Sequence, residues 1–154
     1  MRKWICLFLL QPFMAVLLTG CIEIEENGDE DGNAENIPTS ITGVWNMTTD
    51  EGSEGIDEYY LVIRSNGDIL YYDYMGDTYD QGDNCYRIYS GSERIEWRSG
   101  INYIWYYTES NNTESLPTSL EIVNSQLIET TDLWTLEYPA TSLLESDLSP
   151  ECSA

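Results

Sequence analysis

Histidine is absent from this 154-residue chain, and lysine occurs once, at position 3. Without histidine there is no Ser-His-Asp type triad, no ordinary general base near neutral pH and none of the usual zinc catalysts. Without lysine beyond position 3, Schiff-base and Ser-Lys chemistry are also excluded from the body of the chain. Positive charge is scarce: six Lys and Arg stand against 28 Asp and Glu, a net charge of -22. A surface of that sign repels nucleic acid, whose binding needs clustered cations to displace counterions. Carboxylate pairs are abundant, but among so many acids a given pair carries little information about glycosidase chemistry. The sequence predicts a protein that is not an enzyme and that takes no cofactor and no metal.

One long apolar run is present, at the N-terminus. Arg2 and Lys3 open it, Trp4 to Leu18 form its body, and Thr19-Gly20 close it with small residues, which is the three-part pattern of an export signal. The run is too short to span a bilayer comfortably, which takes about 20 apolar residues. Leu18-Thr19-Gly20-Cys21 resembles the cleavage and lipidation site of bacterial lipoproteins. That resemblance implies a signal peptide over 1-20 and a Cys21 carrying a diacylglycerol thioether and an acylated amine, with palmitate-class chains anchoring the protein to a membrane. At about 0.8 kcal/mol per buried methylene such an anchor is effectively permanent. Ile22, where an Asp would imply retention at the inner membrane, points to the outer membrane, facing periplasm or surface. Cleavage would leave Arg64, Arg87, Arg94 and Arg98 against all 28 acids, a net charge of -24.

Residues 21-37 read as a lipidated cysteine and an acidic tether. Glu23 to Asn36 is almost entirely acids, Asn and Gly, which cannot bury enough apolar surface to fold. Extended, Ile22 to Pro38 would reach about 55 Å at about 3.3 Å per residue. Asn27-x-Asp29-x-Asp31-Gly32 matches half of a calcium loop, but Pro38 stands where the bidentate Glu belongs.

Residues 38-154 are expected to form one all-β domain. Short runs rich in Tyr, Trp, Ile, Val and Thr alternate with Asn-Gly, Ser-Gly and Asn-Asn turn signals, the pattern of a barrel or sandwich. Strands are placed at Gly43-Thr48, Asp57-Arg64, Asp68-Met75, Asn84-Tyr89, Arg94-Arg98, Asn102-Thr108, Ser119-Val123, Gln126-Thr130 and Leu133-Tyr138. No later stretch has helical periodicity. Ser65-Asn66-Gly67-Asp68 is the strongest hairpin signal, because Asn-Gly suits a two-residue loop. Pairing Ser65 with Asp68 sets Ile63 against Leu70, Leu61 against Tyr72 and Tyr59 against Tyr74, one apolar face directed inward. A bulged turn would shift this register by one residue.

Cys85 and Cys152 remain once Cys6 leaves with the signal and Cys21 is lipidated. Exported proteins occupy a disulfide-permissive compartment. A bridge would close a loop of roughly 67 residues and contribute about 4 kcal/mol on the chain-entropy model, the alternative being two separate thiols.

Ile41-Thr42-Gly43-Val44-Trp45, a Trp two residues after a Gly at the start of the first strand, resembles the opening of lipocalin-like domains. Leu61 to Gly67 resembles the second-strand hairpin of the small lipocalin-like domains of bacterial lipoproteins. The resemblance spans Ile41 to Cys152 and implies a single antiparallel up-and-down barrel of about eight to nine strands. It implies Trp45 as a plug at the closed end, and Cys85 with Cys152 as a tail-to-barrel disulfide. One departure is the missing helix after the barrel: Ala140 to Pro150 offers a turn or two.

Twelve tyrosines, with Tyr71-Tyr72-x-Tyr74 and Tyr103 to Tyr107 among the densest runs, are expected to point half inward in a barrel. There they either line a pocket or fill the core, two readings the sequence leaves open. Arg87-Ile88-Tyr89 places a guanidinium and a phenol on one face, able to clamp a carboxylate or phosphate; the alternative is pairing of the arginines with acids such as Glu93 and Glu96 on the outside. Asp77, Asp80 and Asp83 beside Gly76 and Gly82 are expected to form a polar loop before the fourth strand, the alternative being a calcium site. The candidate ligand-binding set is Tyr59, Leu61, Tyr72, Tyr74, Arg87, Tyr89 and Trp105. The expected function is non-catalytic binding of a small apolar or amphipathic ligand by a membrane-anchored lipoprotein. The alternative is a filled barrel serving as a structural or protein-interaction module of the cell envelope.

Overall fold

The computed structural model describes residues 37-109 and 112-153. The signal, Cys21 and the calcium-like half motif of the tether lie outside them. The strands are β1 (Gly43–Asn46), β2 (Thr49–Asp50), β3 (Ile56–Asp57), β4 (Tyr59–Ile63), β5 (Asp68–Tyr74), β6 (Tyr86–Ser99), β7 (Asn102–Glu109), β8 (Asn112–Val123), β9 (Gln126–Thr130) and β10 (Thr135–Pro139). Eight of them form one antiparallel sheet in the order β1-β4-β5-β6-β7-β8-β9-β10, curled into a nearly closed up-and-down barrel, while β2 and β3 make a separate short ribbon. At the seam, β1 and β10 are joined by a single bridge, Trp45 to Ala140. The expected all-β barrel is therefore the fold, and the one helical element among the described residues is a 3-10 turn at Glu145–Asp147.

Two expectations about its strands are corrected. The expected strands Asn84-Tyr89, from Tyr86 onward, and Arg94-Arg98 are not separate but parts of the 14-residue β6. The Ser90-Gly91 turn signal is absorbed as a bulge: Gly91 has φ +81°, and the β5–β6 register shifts between Asp68/Arg94 and Leu70/Ser90. β8, for its part, begins seven residues before the expected start, running through Pro117. Proline is tolerated there because the β8–β9 pairing begins only at Ser119, so no ladder partner is deprived of an N–H.

The β4–β5 turn carries the third correction. Arg64 N–H bonds the Asp68 carbonyl at 3.0 Å and Gly67 N–H bonds the Arg64 carbonyl at 2.9 Å, with Gly67 at φ +88°. This is a three-residue loop ending in a left-handed glycine, the bulged alternative to a two-residue turn. The extra residue pairs Ile63 with Ile69, Leu61 with Tyr71 and Tyr59 with Asp73. Because side chains alternate with period two, the one-residue slip turns Tyr72 and Tyr74 to the outside and brings Ile69 and Tyr71 inside.

Two apolar clusters result. The inner one holds Ile37, Ile41, Trp45, Leu61, Ile63, Ile69, Ile95, Tyr103, Trp105, Leu120, Leu127 and Tyr138. Ile37, the last residue assigned to the tether, belongs to it, and its N–H is tied to the Ser65 carbonyl at 2.9 Å. Trp45 is buried, and its indole N–H donates to the Ile41 carbonyl at 3.0 Å. The outer cluster holds Val44, Val62, Leu70, Tyr72, Tyr86 and Leu148. It is covered by the strap of residues 140-152. The strap is held by the Cys85–Cys152 disulfide with a Cα–Cα distance of 4.9 Å, by a parallel bridge from Tyr86 to Glu151, and by Glu145, which accepts from Arg64 and from the Tyr72 hydroxyl.

Candidate functional site

The inner cluster fills one end of the barrel, where Ile37, Ile41, Ile63, Ile69 and Ile95 meet. Towards the other end the interior opens into a cavity of about 630 Å³, its walls including Met47, Tyr71, Trp105, Tyr107, Leu116, Trp134, Leu136 and Tyr138, with Glu93 and Glu129 among them. The two carboxylates are held in the same way. Glu93 Oε2 accepts from the Tyr71 hydroxyl at 2.9 Å and from Trp105 Nε1 at 2.7 Å. Glu129, only 5% exposed, accepts from Trp134 Nε1 at 3.0 Å and from the Tyr138 hydroxyl at 2.7 Å. Burial first, and then the adjacent glutamate, raise the Tyr71 and Tyr138 hydroxyls well above the ordinary tyrosine range, so both stay protonated donors. Each of these two phenols also feels the charge of the other glutamate, which places the whole group in one electrostatic environment.

Of the seven candidate ligand residues, Trp105 lines this cavity. Tyr59 lies beside it, half-buried and stacked on Tyr71 with ring centroids 5.9 Å apart; burial and then Asp73 push its hydroxyl up to about 12. Leu61 belongs to the packed part of the interior. Tyr72 and Tyr74 lie outside the barrel with the outer cluster, Tyr72 bonded to Glu145 at 2.9 Å and Tyr74 packed against Tyr86 at 5.0 Å, for the register reason given above. Arg87 and Tyr89 share a face as expected, but both are exposed. The guanidinium donates to the Tyr89 hydroxyl at 3.2 Å and lies 3.7 Å from Asp73. Its charge is thus answered within the protein, and no anion clamp is left free.

The other arginines are engaged on the outside. Arg94 and Arg98 both pair with Glu96, at 2.7 and 2.8 Å, and Arg64 pairs with Glu145. Glu93, expected beside Glu96 outside, instead faces the cavity, because an odd separation of three residues along β6 puts the two on opposite faces. The Asp77 carboxylate accepts from the backbone N–H groups of Glu58, Tyr79 and Asp80 at 2.6, 2.9 and 2.8 Å, so it shapes its loop. A second cavity, of about 540 Å³, lies on the outer side between β1, β4 and the strap. It contains the Arg64–Glu145 pair, already neutral, and has no aromatic lining.

Glu93, Glu129, Tyr71, Trp134 and Tyr138 were not in the candidate set. Glu129 carried one signal: it alternates with Leu127 along β9, so a buried Leu127 demands an inward Glu129. No protein-family model, curated protein or solved structure matches the chain.

Proposed function

We propose that the chain is a lipid-anchored envelope protein whose barrel binds a small apolar or amphipathic molecule, without catalysis, through the cavity at its open end. The observation that carries this reading is the uneven filling of the barrel. One end is packed with isoleucines and Trp45, while the other holds about 630 Å³ walled by aromatic and aliphatic side chains. Pockets of about 300–1,000 Å³ with an apolar lining and a few fixed polar groups are the usual form of small-molecule sites. The partly exposed Trp134 and Leu136 belong to the cavity's lining, a surface along which an amphipathic molecule can enter, and Leu133, 75% exposed, precedes them in the chain.

The lipid anchor rests on Leu18 to Cys21, and membership of the lipocalin-like group on Gly43-Val44-Trp45 and the barrel. Among the described residues no helix is long and apolar enough to cross a membrane. Two experiments test the two halves of the reading. Cys21→Ser is expected to leave the protein unlipidated and displaced from the membrane fraction; unchanged fractionation would overturn the anchor. Native mass spectrometry of residues 22-154, exported through an ordinary cleavable signal, is expected to show a co-purifying molecule or uptake from a panel of amphiphiles. A mass unchanged by every panel member would favour the interaction module, whose support is the filled end of the barrel.

A further inference from the structure

The cavity combines an aromatic, largely apolar wall with two carboxylates that have no countercharge among the described residues. Buried charges in proteins are ordinarily paired, because removing an ion from water costs several kcal/mol. Here Glu129 is buried and Glu93 half-buried, and the donors that hold both are neutral phenols and indoles. All four arginines of the described residues are committed elsewhere, to Glu145, Asp73 and Glu96. Trp105 and Trp134 can only donate, so each of these carboxyl groups is fixed as an acceptor on at least one oxygen. On Glu93 both donors converge on Oε2, and Oε1 has no donor among the described residues.

From this we infer that the cavity receives an organic cation, an amphipathic amine or quaternary ammonium whose charged head meets Glu93 and Glu129 and whose apolar part lies against Met47, Leu116 and Leu136. The inference rests on the proposed ligand-binding reading and adds the charge of the ligand to it. A cationic head supplies the missing countercharge, and the rings of Tyr71, Trp105, Tyr107, Trp134 and Tyr138 surround it with π systems that attract cations. A bare divalent ion fits less well. Calcium takes six to eight oxygen ligands, whereas these two carboxylates already spend acceptor capacity on four aromatic donors. The strongly acidic surface acts in the same direction at longer range, concentrating cations near the mouth.

The test is isothermal titration of residues 22-154, oxidised, with decyltrimethylammonium, decanol and decanoate, each below its micellar concentration. The expected order is cation first, by about tenfold or more over the alcohol, with decanoate weakest. Glu93→Gln and Glu129→Gln, checked for folding by circular dichroism, are expected to bring the cation down to the alcohol's affinity while leaving the alcohol unchanged. Glu137→Gln, which removes an equal charge from an exposed position on β10, is expected to leave the cation's affinity within about twofold. Equal binding of cation and alcohol by the unmodified protein would overturn the inference and leave the binding reading standing. Loss of the preference in Glu137→Gln as well would overturn it too, since the surface field alone would then explain the preference. Binding of none of the three probes would overturn the binding reading itself. The wild-type series decides the sign of the preference even if a glutamine variant does not fold.

Discussion

Replacing Trp45 by alanine is the most informative single perturbation of the barrel. Trp45 is 6% exposed, sits on β1 opposite Leu61 and belongs to the inner cluster that fills one end. Its truncation removes a large buried side chain, for which the cost in well-packed cores is about 3–5 kcal/mol. Part of that cost is polar, because the Ile41 carbonyl loses the indole donor at 3.0 Å. Trp45→Phe separates the two contributions: it retains most of the ring contact and strands only the carbonyl, at about 1–3 kcal/mol. Domains of this size are stable by about 5–15 kcal/mol, so the alanine variant removes a large share of the total. Urea unfolding of residues 22-154, followed by far-UV circular dichroism, is the assay. With a urea dependence of about 1–3 kcal/mol per molar, the alanine variant's midpoint is expected to fall by about 1–5 M and the phenylalanine variant's by clearly less. An unchanged midpoint for Trp45→Ala would refute its role as a filler of the closed end. Equal losses for both variants would show that the hydrogen bond, not the ring volume, holds that end together.

Three further outcomes are expected. Gly67→Ala forces an L-residue to φ +88° and drives its Cβ into the Ile95 carbonyl oxygen; a loss of at least about 1–3 kcal/mol in the same titration is expected, and a neutral result would contradict the bulged turn. Leu148→Ala and the paired Cys85→Ala, Cys152→Ala change each loosen the strap over the outer cluster, at about 2–5 kcal/mol apiece. Their combination should cost less than the sum, since a strap already released cannot be released again; strict additivity would show that the strap is held in independent pieces. Alkali should unfold the domain. Burial pushes Tyr59 and Tyr72 up to about 12 and also raises Tyr71, Tyr86 and Tyr138, whereas unfolded tyrosine titrates near about 10. The folded chain therefore keeps protons that the unfolded chain releases. The stabilisation is complete below about pH 10 and is lost as pH rises through the folded values. Parallel phenolate absorbance and circular dichroism check this, and tyrosines that ionise at their ordinary pH without unfolding would contradict it.

Much of the architecture was legible because local rules and global closure agree. Apolar and aromatic residues recur with period two, turn pairs punctuate them, and the tail cysteine faces Cys85. Individual side chains were less legible where one backbone residue decides parity. Asn66-Gly67 signals a reversal, but the sequence does not separate a two-residue loop from a three-residue loop ending in the same glycine. That single choice decides whether Tyr71 or Tyr72 faces the interior. Ser90-Gly91 likewise encodes a bend inside β6 with the same residues that would end a strand. The glutamates were missed for another reason: acids are ordinarily assigned to water, and only the donors converging on Glu93 and Glu129, contributed by β5, β7, β10 and the turn before it, make the inward position tolerable. Those partners are brought together by closure of the sheet, not by proximity in sequence.

The seam between β1 and β10 gives the barrel a property that its strand count does not reveal. Every other junction is a ladder of paired residues, whereas this one depends on the Trp45–Ala140 bridge, a hydrogen bond from the Thr141 hydroxyl to the Val44 carbonyl at 3.2 Å and side-chain packing. Mechanically the molecule is a split ring. A fully laddered cylinder has its girth fixed by strand number and stagger, but a split ring can widen by parting at one line while the remaining hydrogen bonds stay intact. The amides of β1 and β10 should then be the first of the barrel to exchange with solvent, and occupancy of the interior should slow them. The width of the chamber is on this view an elastic quantity, set by how firmly that one short seam holds.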